Sequence, residues 1–266
     1  MRVHVVSDVH GNSTALAGAA DGADALLVLG DLIDFVDYDD HSGGILGQVF
    51  GPDAVARFAA LRVGGGPGEL GAYARSLWAG LADARGTVED AVRQQYRRLF
   101  DALAGTGIPT YITPGNVDLP HLWPEFLTDG VRMLDGEVTE IGGLRFGFVG
   151  GLPLPPWMTA PPTGGPWRPY LRTDEDFAQA CAALVGVDVL CSHVPPAVPE
   201  LAYDVRSRRA EAASGALLGM IVKERPRASV FGHVHQPLAA RARIGVTECV
   251  NVGHFRRCER PYRLTW

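Results

Sequence analysis

Short apolar runs, apolar at successive rather than alternate positions, are the feature that most restricts what this chain can fold into. Val3 to Val6, Ala25 to Leu29, Thr110 to Thr113, Leu144 to Val149, Val187 to Cys191, Ala228 to Phe231, Val246 to Val252 and Tyr262 to Trp266 are each bounded by Gly, Pro, Asp or Asn. Such runs fit strands covered on both faces. Helical patterns lie between them. The clearest is Val88 to Leu103, where Val88, Val92, Tyr96, Leu99 and Leu103 step by three or four and form one apolar stripe. Thr87 with Asp90 resembles a capping box at its start, and Gly105 with Gly107 ends it. Ser13 to Ala20, Asp174 to Val185 and Ser214 to Lys223 are shorter helical candidates. The alternation predicts an α/β fold.

The 266 residues, 47% hydrophobic and 20% charged, read as one globular domain. Residues 36–104 are expected to form a helical insertion, which begins with the Asp- and Gly-rich turns and Ala-rich pieces of 36–86. Residues 151–172 are too rich in proline for a helix or a central strand and are expected to form a loop. A net charge of -6 argues against a duplex nucleic-acid partner, which requires a local surplus of Lys and Arg. Cys181, Cys191, Cys249 and Cys258 form no C-x-x-C pair, so neither a disulfide framework nor a cysteine zinc site is indicated. The first residues run straight into a strand pattern without a signal-peptide layout, and no run reaches the ~18 apolar residues of a membrane span. The expectation is a soluble, cytoplasmic protein with no membrane partner. The sequence carries no signal of oligomeric state.

In open α/β sheets, ligand sites collect beyond the carboxyl ends of strands, where loops are free to vary above fixed roots. Five of the runs end in groups able to ligate. Val3 to Val6 leads to Asp8 and His10, Ala25 to Leu29 to Asp31, and Thr110 to Thr113 to Asn116 and Asp118. Val187 to Cys191 leads to His193, and Ala228 to Phe231 to His233 and His235. Taken singly, each has an ordinary reading: Asp31 and Asn116 as turn residues, His193 as a core histidine. His4, His41, His121 and His254 receive such ordinary readings. Jointly, two Asp, one Asn and four His form a mixed set suited to Mn, Fe, Zn or Ni. These ligands exceed the needs of one tetrahedral ion and match two ions sharing a carboxylate. Alternate residues of an extended strand lie about 6.6 Å apart on one side. His233 and His235 are therefore expected each to serve one of two ions about 3.5–4 Å apart.

The ordered set D-V-H, G-D, G-N-V-D, S-H and G-H-V-H, spanning residues 8 to 235, resembles the calcineurin-like metallophosphoesterases. The resemblance implies a four-layer αββα sandwich with a dinuclear centre at one edge of two packed mixed sheets. It implies that Asp8, His10 and His235 hold one divalent ion, that Asn116, His193 and His233 hold the other, and that Asp31 bridges them. The implied reaction is hydrolysis of a small phosphoester or nucleotide-like substrate by a hydroxide between the ions. Asn116 and His193 would assist at the phosphoryl group, and Asp118 would orient a ligand imidazole. A scaffold that keeps the fold but acts through protein contacts is the alternative.

One departure from the family pattern is Val117, where many members carry a histidine that assists the leaving group. Valine lacks that chemistry, which favours phosphodiesters and esters with good leaving groups over alkyl monoesters. Trp157, Trp167 and Tyr170 of the proline-rich stretch suit either a lid over a planar substrate group or plain packing. Arg206, Arg208 and Arg209 fit a solvated basic face better than a phosphate contact.

Overall fold

The computed structural model describes residues 1–66, 68–154, 158 and 165–266. Two sheets carry the architecture. In the five-stranded sheet, Tyr262–Thr265, Arg2–Val6, Ala25–Leu29, Thr110–Thr113 and Val131–Met133 lie side by side in that order. Only the Tyr262–Thr265 edge is antiparallel to its neighbour. The six-stranded sheet runs Arg241–Ile244, Thr247–Asn251, Ala228–Phe231, Val189–Ser192, Leu144–Val149 and Glu137–Ile141. Its inner strands are parallel and both its edges antiparallel. All the strands that precede the candidate ligands are therefore parallel members of their sheets.

Successive side chains of a strand point to opposite faces, so a run that is apolar throughout must find a partner on each. Val3, Val5, Leu27 and Leu29 meet Phe146, Phe148, Val189, Cys191, Val230 and Val250 between the sheets. The alternate residues Val6, Leu26, Val28 and Ile112 face outwards under Leu16 of the Ser13–Ala17 helix and the stripe of the Ala84–Gly105 helix. Leu190, Phe231 and Cys249 are covered by Phe177 and Cys181 of the Asp174–Ala182 helix and by Leu217, Met220 and Ile221 of the Gly215–Glu224 helix. Helix, sheet, sheet, helix is the four-layer order expected. Between the Ala25–Leu29 and Thr110–Thr113 strands lie the further helices Gly44–Phe50, Pro52–Gly64 and Glu69–Ala79.

The structure departs from the sequence reading at element ends and sheet edges. The long helix begins at Ala84, capped by the Asp83 side chain, which accepts from the Gly86 N–H at 2.8 Å. The Thr87 hydroxyl donates back to the Asp83 carbonyl at 2.7 Å, so Thr87 lies inside the helix and is not its cap. Val131–Met133, Glu137–Ile141 and Arg241–Ile244 carry charged residues and flank the sheets, where one side of the strand stays wet. Cys181, Cys191 and Cys249 are buried free thiols, and Cys258 is an exposed one. Among the described residues, no helix is long and apolar enough to cross a membrane.

Leu27 is fully enclosed between the sheets. Leu27→Ala is expected to lower unfolding free energy by about 2–5 kcal/mol in urea titration, since a void there is walled by both sheets.

Candidate metal centre

The loops beyond the parallel strands are laced together by their backbones. The Asp8 N–H donates to the Gly30 carbonyl at 3.1 Å, that of His10 to Asp31 at 2.9 Å, and that of Gly232 to His193 at 2.9 Å. Glycine makes this close approach possible. A Cβ on Gly30 would strike the backbone of Gly115, one on Gly115 the Asp31 carboxylate, and one on Gly232 the Ser7 hydroxyl and the Asp8 carboxylate. Each of these glycines precedes a candidate ligand. Asp8, His10, Asp31 and His233 all hold left-handed backbones, with φ of 58°, 42°, 53° and 66°. This conformation costs L-residues about 1–2 kcal/mol each, so the surrounding bonds must hold the loops in place.

His233 and His235 therefore do not continue their strand. The Ala228–Phe231 strand stops before them, and the chain turns as the Val234 N–H donates to the Gly232 carbonyl at 2.8 Å. The expected extended geometry is replaced by a tight turn, whose Gly232 and Val234 carbonyls accept from the Asn251 amide at 3.3 and 2.9 Å. The turn still separates the two imidazoles into two groups. The His233 ring packs on His193, with centroids 5.1 Å apart, and a ligating atom of each lies within 4.8 Å of Asp31. His235 Nε2 lies 3.2 Å from His10 Nε2 and 3.4 Å from Asp8 Oδ1.

Asp31 stands between the groups. Its Oδ1 is 3.4 Å from His193 Nε2, and its Oδ2 is 3.9 Å from His10 Nε2. The Asn116 side-chain oxygen lies 3.1 Å from His193 Nε2. Backbone carbonyls orient two of the rings: Leu29 faces His193 Nδ1 at 2.8 Å, and Ile33 faces His10 Nδ1 at 3.2 Å. With Nδ1–H committed to a carbonyl, each Nε2 is turned into the site. All seven sequence-selected residues thus converge.

The electrostatics follow from this crowding. Burial acts to lift the Asp31 pKa, but the His193 and His10 imidazoles outweigh it and hold the carboxyl at about 2. Burial likewise opposes ionisation of Asp8, and its imidazole neighbours, led by His235, bring it below the usual carboxylate range. Burial would push His193 down, yet the Asp31 and Asp8 carboxylates raise it to about 9. His233, buried and beside His193, is depressed to about 4. The acceptor lone pairs crowd together and draw in positive charge. Protons on imidazole supply it in part, and a divalent cation bound here would displace them. Asp8 Oδ1 and His233 Nε2 are buried with no hydrogen-bond partner. Orphaned oxygen and imidazole nitrogen of this kind fit borderline divalent ions.

Asp118 departs from its expected role of orienting an imidazole. Fully buried, it accepts from the Leu32 N–H at 3.0 Å, the Gly115 N–H at 2.9 Å and the Tyr96 hydroxyl at 3.3 Å. Burial and the Asp31 charge push its pKa up to about 7. Asp118 ties the Asn116 loop to the loop after Asp31. In the other direction, His254 belongs near the site, although it reads as ordinary in sequence. Its ring stacks on His235 at 3.8 Å, and its Nε2 is buried without a partner. The signal was present: N-V-G-H follows the Thr247–Asn251 strand as G-H-V-H follows its own. His4 is an ordinary core histidine, its Nδ1 2.8 Å from the Ala19 carbonyl. Arg206 and Arg209 pair with Asp39 and Glu211 on the surface, as a solvated face does. Trp157 lies outside the described residues.

No family model matches the chain, and no curated protein matches it. Among solved structures, one is 14% identical, covering 96% of this chain and 91% of its own at a TM-score of 0.58. The protein TT1561 of Thermus thermophilus is 12% identical over 99% of this chain and 98% of its own, at 0.54. The fold of this chain is shared with these two structures over nearly the whole length of each. A structure described as a predicted phosphoesterase from Streptococcus pneumoniae is 14% identical over 95% of this chain and 71% of its own, but a TM-score of 0.31 is too weak to build on. Within this fold, the candidate ligands occupy the loops after the parallel strands of both sheets.

The Tyr96 hydroxyl accepts from the Leu119 N–H at 2.7 Å while donating to Asp118. Tyr96→Phe should lower thermal stability by an amount equivalent to about 1–3 kcal/mol, because it strands the Leu119 N–H in the core and removes one of the three donors to Asp118.

Proposed function

We propose that this chain is a dinuclear metal-dependent phosphoester hydrolase acting on phosphodiesters. One observation carries the reading: the side chains of Asp8, His10, Asn116, His193, His233 and His235 converge around Asp31, all but His235 buried or half-buried, and Asp8 Oδ1 and His233 Nε2 there have no hydrogen-bond partner. A set of polar groups this large is costly to bury unless a ligand satisfies it. In this reading Asp8, His10 and His235 would hold one divalent ion, Asn116, His193 and His233 would hold the second, and Asp31, between the two groups, would serve both. Mn, Fe, Zn or Ni suits the donor set.

When bound, such ions supply Lewis acidity and bring the pKa of water from 15.7 towards about 7. The protein contributes orientation. The Leu29 and Ile33 carbonyls fix the His193 and His10 rings, and the Val117 N–H, 3.0 Å from Asp31 Oδ1, fixes the bridging carboxylate. The Asn116 amide and the His193 ring, 3.1 Å apart, would also meet the phosphoryl oxygens as they gather negative charge, the kind of fixed polar environment that contributes most to catalysis. Val117 packs against the apolar cluster of the first sheet beside Trp167 and has no proton to give. That favours substrates whose leaving group departs unaided: phosphodiesters and aryl esters over alkyl monoesters. The substrate is a small or nucleotide-like phosphoester, and the net charge of -6 disfavours duplex nucleic acid.

The decisive experiment is metal analysis of the purified protein together with hydrolysis of bis(p-nitrophenyl) phosphate, p-nitrophenyl phosphate and cyclic nucleotides in Mn, Zn or Ni. Two ions per chain and turnover of the diester are expected. Metal without turnover on any substrate would turn the reading towards a scaffold. Asp31→Asn should reduce diester turnover by about 10²-fold or more and release at least one ion, as measured by elemental analysis. Val117→His is expected to raise alkyl monoester turnover by about tenfold or more, given the contribution of general acids. An unchanged rate with both ions bound would refute the missing-acid account.

A further inference from the structure

The Asn116 loop is held from outside at two successive carbonyls, that of Asn116 and that of the next residue, Val117. The Tyr170 N–H donates to the Asn116 carbonyl at 2.9 Å, and the Trp167 indole N–H donates to the Val117 carbonyl at 3.1 Å. Earlier in the same loop, the Gly151 N–H donates to the Pro114 carbonyl at 2.8 Å, and a Cβ on Gly151 would run into Tyr170. The Trp167 and Tyr170 segment is itself anchored. The Tyr170 hydroxyl donates to Asp135 Oδ2 at 2.7 Å, while Asp135 Oδ1 accepts from Arg172 at 2.9 Å and from the Gly150 N–H at 2.8 Å. The Trp167 ring stacks on Phe35, centroids 4.2 Å apart and planes 21° from parallel, and Phe35 lies just beyond Asp31 in the chain.

These contacts converge on one ligand. Asn116 is the only uncharged amide among the seven, and its oxygen must meet a cation also held by His193 and His233. An amide oxygen is a weaker ligand than a carboxylate or imidazole for borderline ions, so its contribution depends most on being placed in advance. The other half of the centre is supported without Trp167 or Tyr170. Asp8 accepts from the His233 N–H at 2.9 Å, and His10 is set by the Ile33 carbonyl. We propose that Trp167 and Tyr170 are positioning residues for Asn116, which set the affinity of the Asn116, His193 and His233 half of the centre and leave the Asp8, His10 and His235 half unchanged. This inference rests on the dinuclear reading above.

The test uses Trp167→Phe, which keeps a ring against Phe35 and removes the indole N–H, and Tyr170→Phe, which removes only the hydroxyl that reaches Asp135. Metal-free wild type and both variants are titrated with Co(II), followed by calorimetry and by visible absorption, with thermal melting as the control. Wild type is expected to bind in two steps. In the variants the weaker step should lose about five- to tenfold in affinity, the size of one neutral hydrogen bond, with the tighter step and the melting curve unchanged. Should wild type bind fewer than two ions, the dinuclear reading fails. If it binds two and the variants match it in both steps, the positioning role fails while that reading stands. Equal weakening of both steps, or loss of the fold in both variants, also overturns the proposal, because the bonds would then be general supports.

Discussion

The rest of the structure depends on the mutual repulsion of acceptor lone pairs at the mouth of two parallel sheets. Asp31 lies against His193 on one side and His10 on the other, and Asp8 lies against His235. None of these groups satisfies its neighbours without added positive charge. The two cores must therefore be rigid enough to hold a centre that resists its own assembly. Four of the surrounding residues adopt left-handed backbones, and three glycines let adjacent loops press together without side chains between them. The packed sheets supply the stability that the centre spends.

This arrangement explains how one fold edge can gather ligating side chains from seven distant positions. Parallel strands deliver their carboxyl ends to the same side, and each loop needs only one to four residues to reach the centre. The turn after Phe231 divides the H-x-H pair between the two groups, one ring towards His193 and the other towards His10. A continuing strand would have spaced the rings regularly but would not have brought His233 beneath His193.

Much of this was legible in the sequence, for a physical reason. Strands covered on both faces leave unbroken apolar runs, so Ala25–Leu29, Thr110–Thr113, Leu144–Val149 and Ala228–Phe231 could be read with their ends. Edge strands such as Arg241–Ile244 mix charged and apolar residues because one side is wet, and they left no such trace. The ligands were legible because they directly follow readable strands. His254 follows one too, but as a single histidine it looked like a packing residue. The role of Asp118 was not legible: its hydrogen bonds to Leu32 and Tyr96 join segments far apart in the chain. The same holds for the contacts of Trp167 and Tyr170 with the Asn116 loop.

The strand beside Arg2–Val6 comes from far along the sequence: Arg2 pairs with Thr265, and the Met1 amine meets the Trp266 carbonyl at 2.8 Å. On one flank, the first strand therefore gains its neighbour only after the whole second sheet has been laid down. Closing so long a loop is entropically slow, and until it closes, Arg2–Val6 presents an unpaired backbone to any passing strand. Tyr262–Thr265, last of the strands along the chain, thus covers the edge of the sheet that supports Asp8 and Asp31.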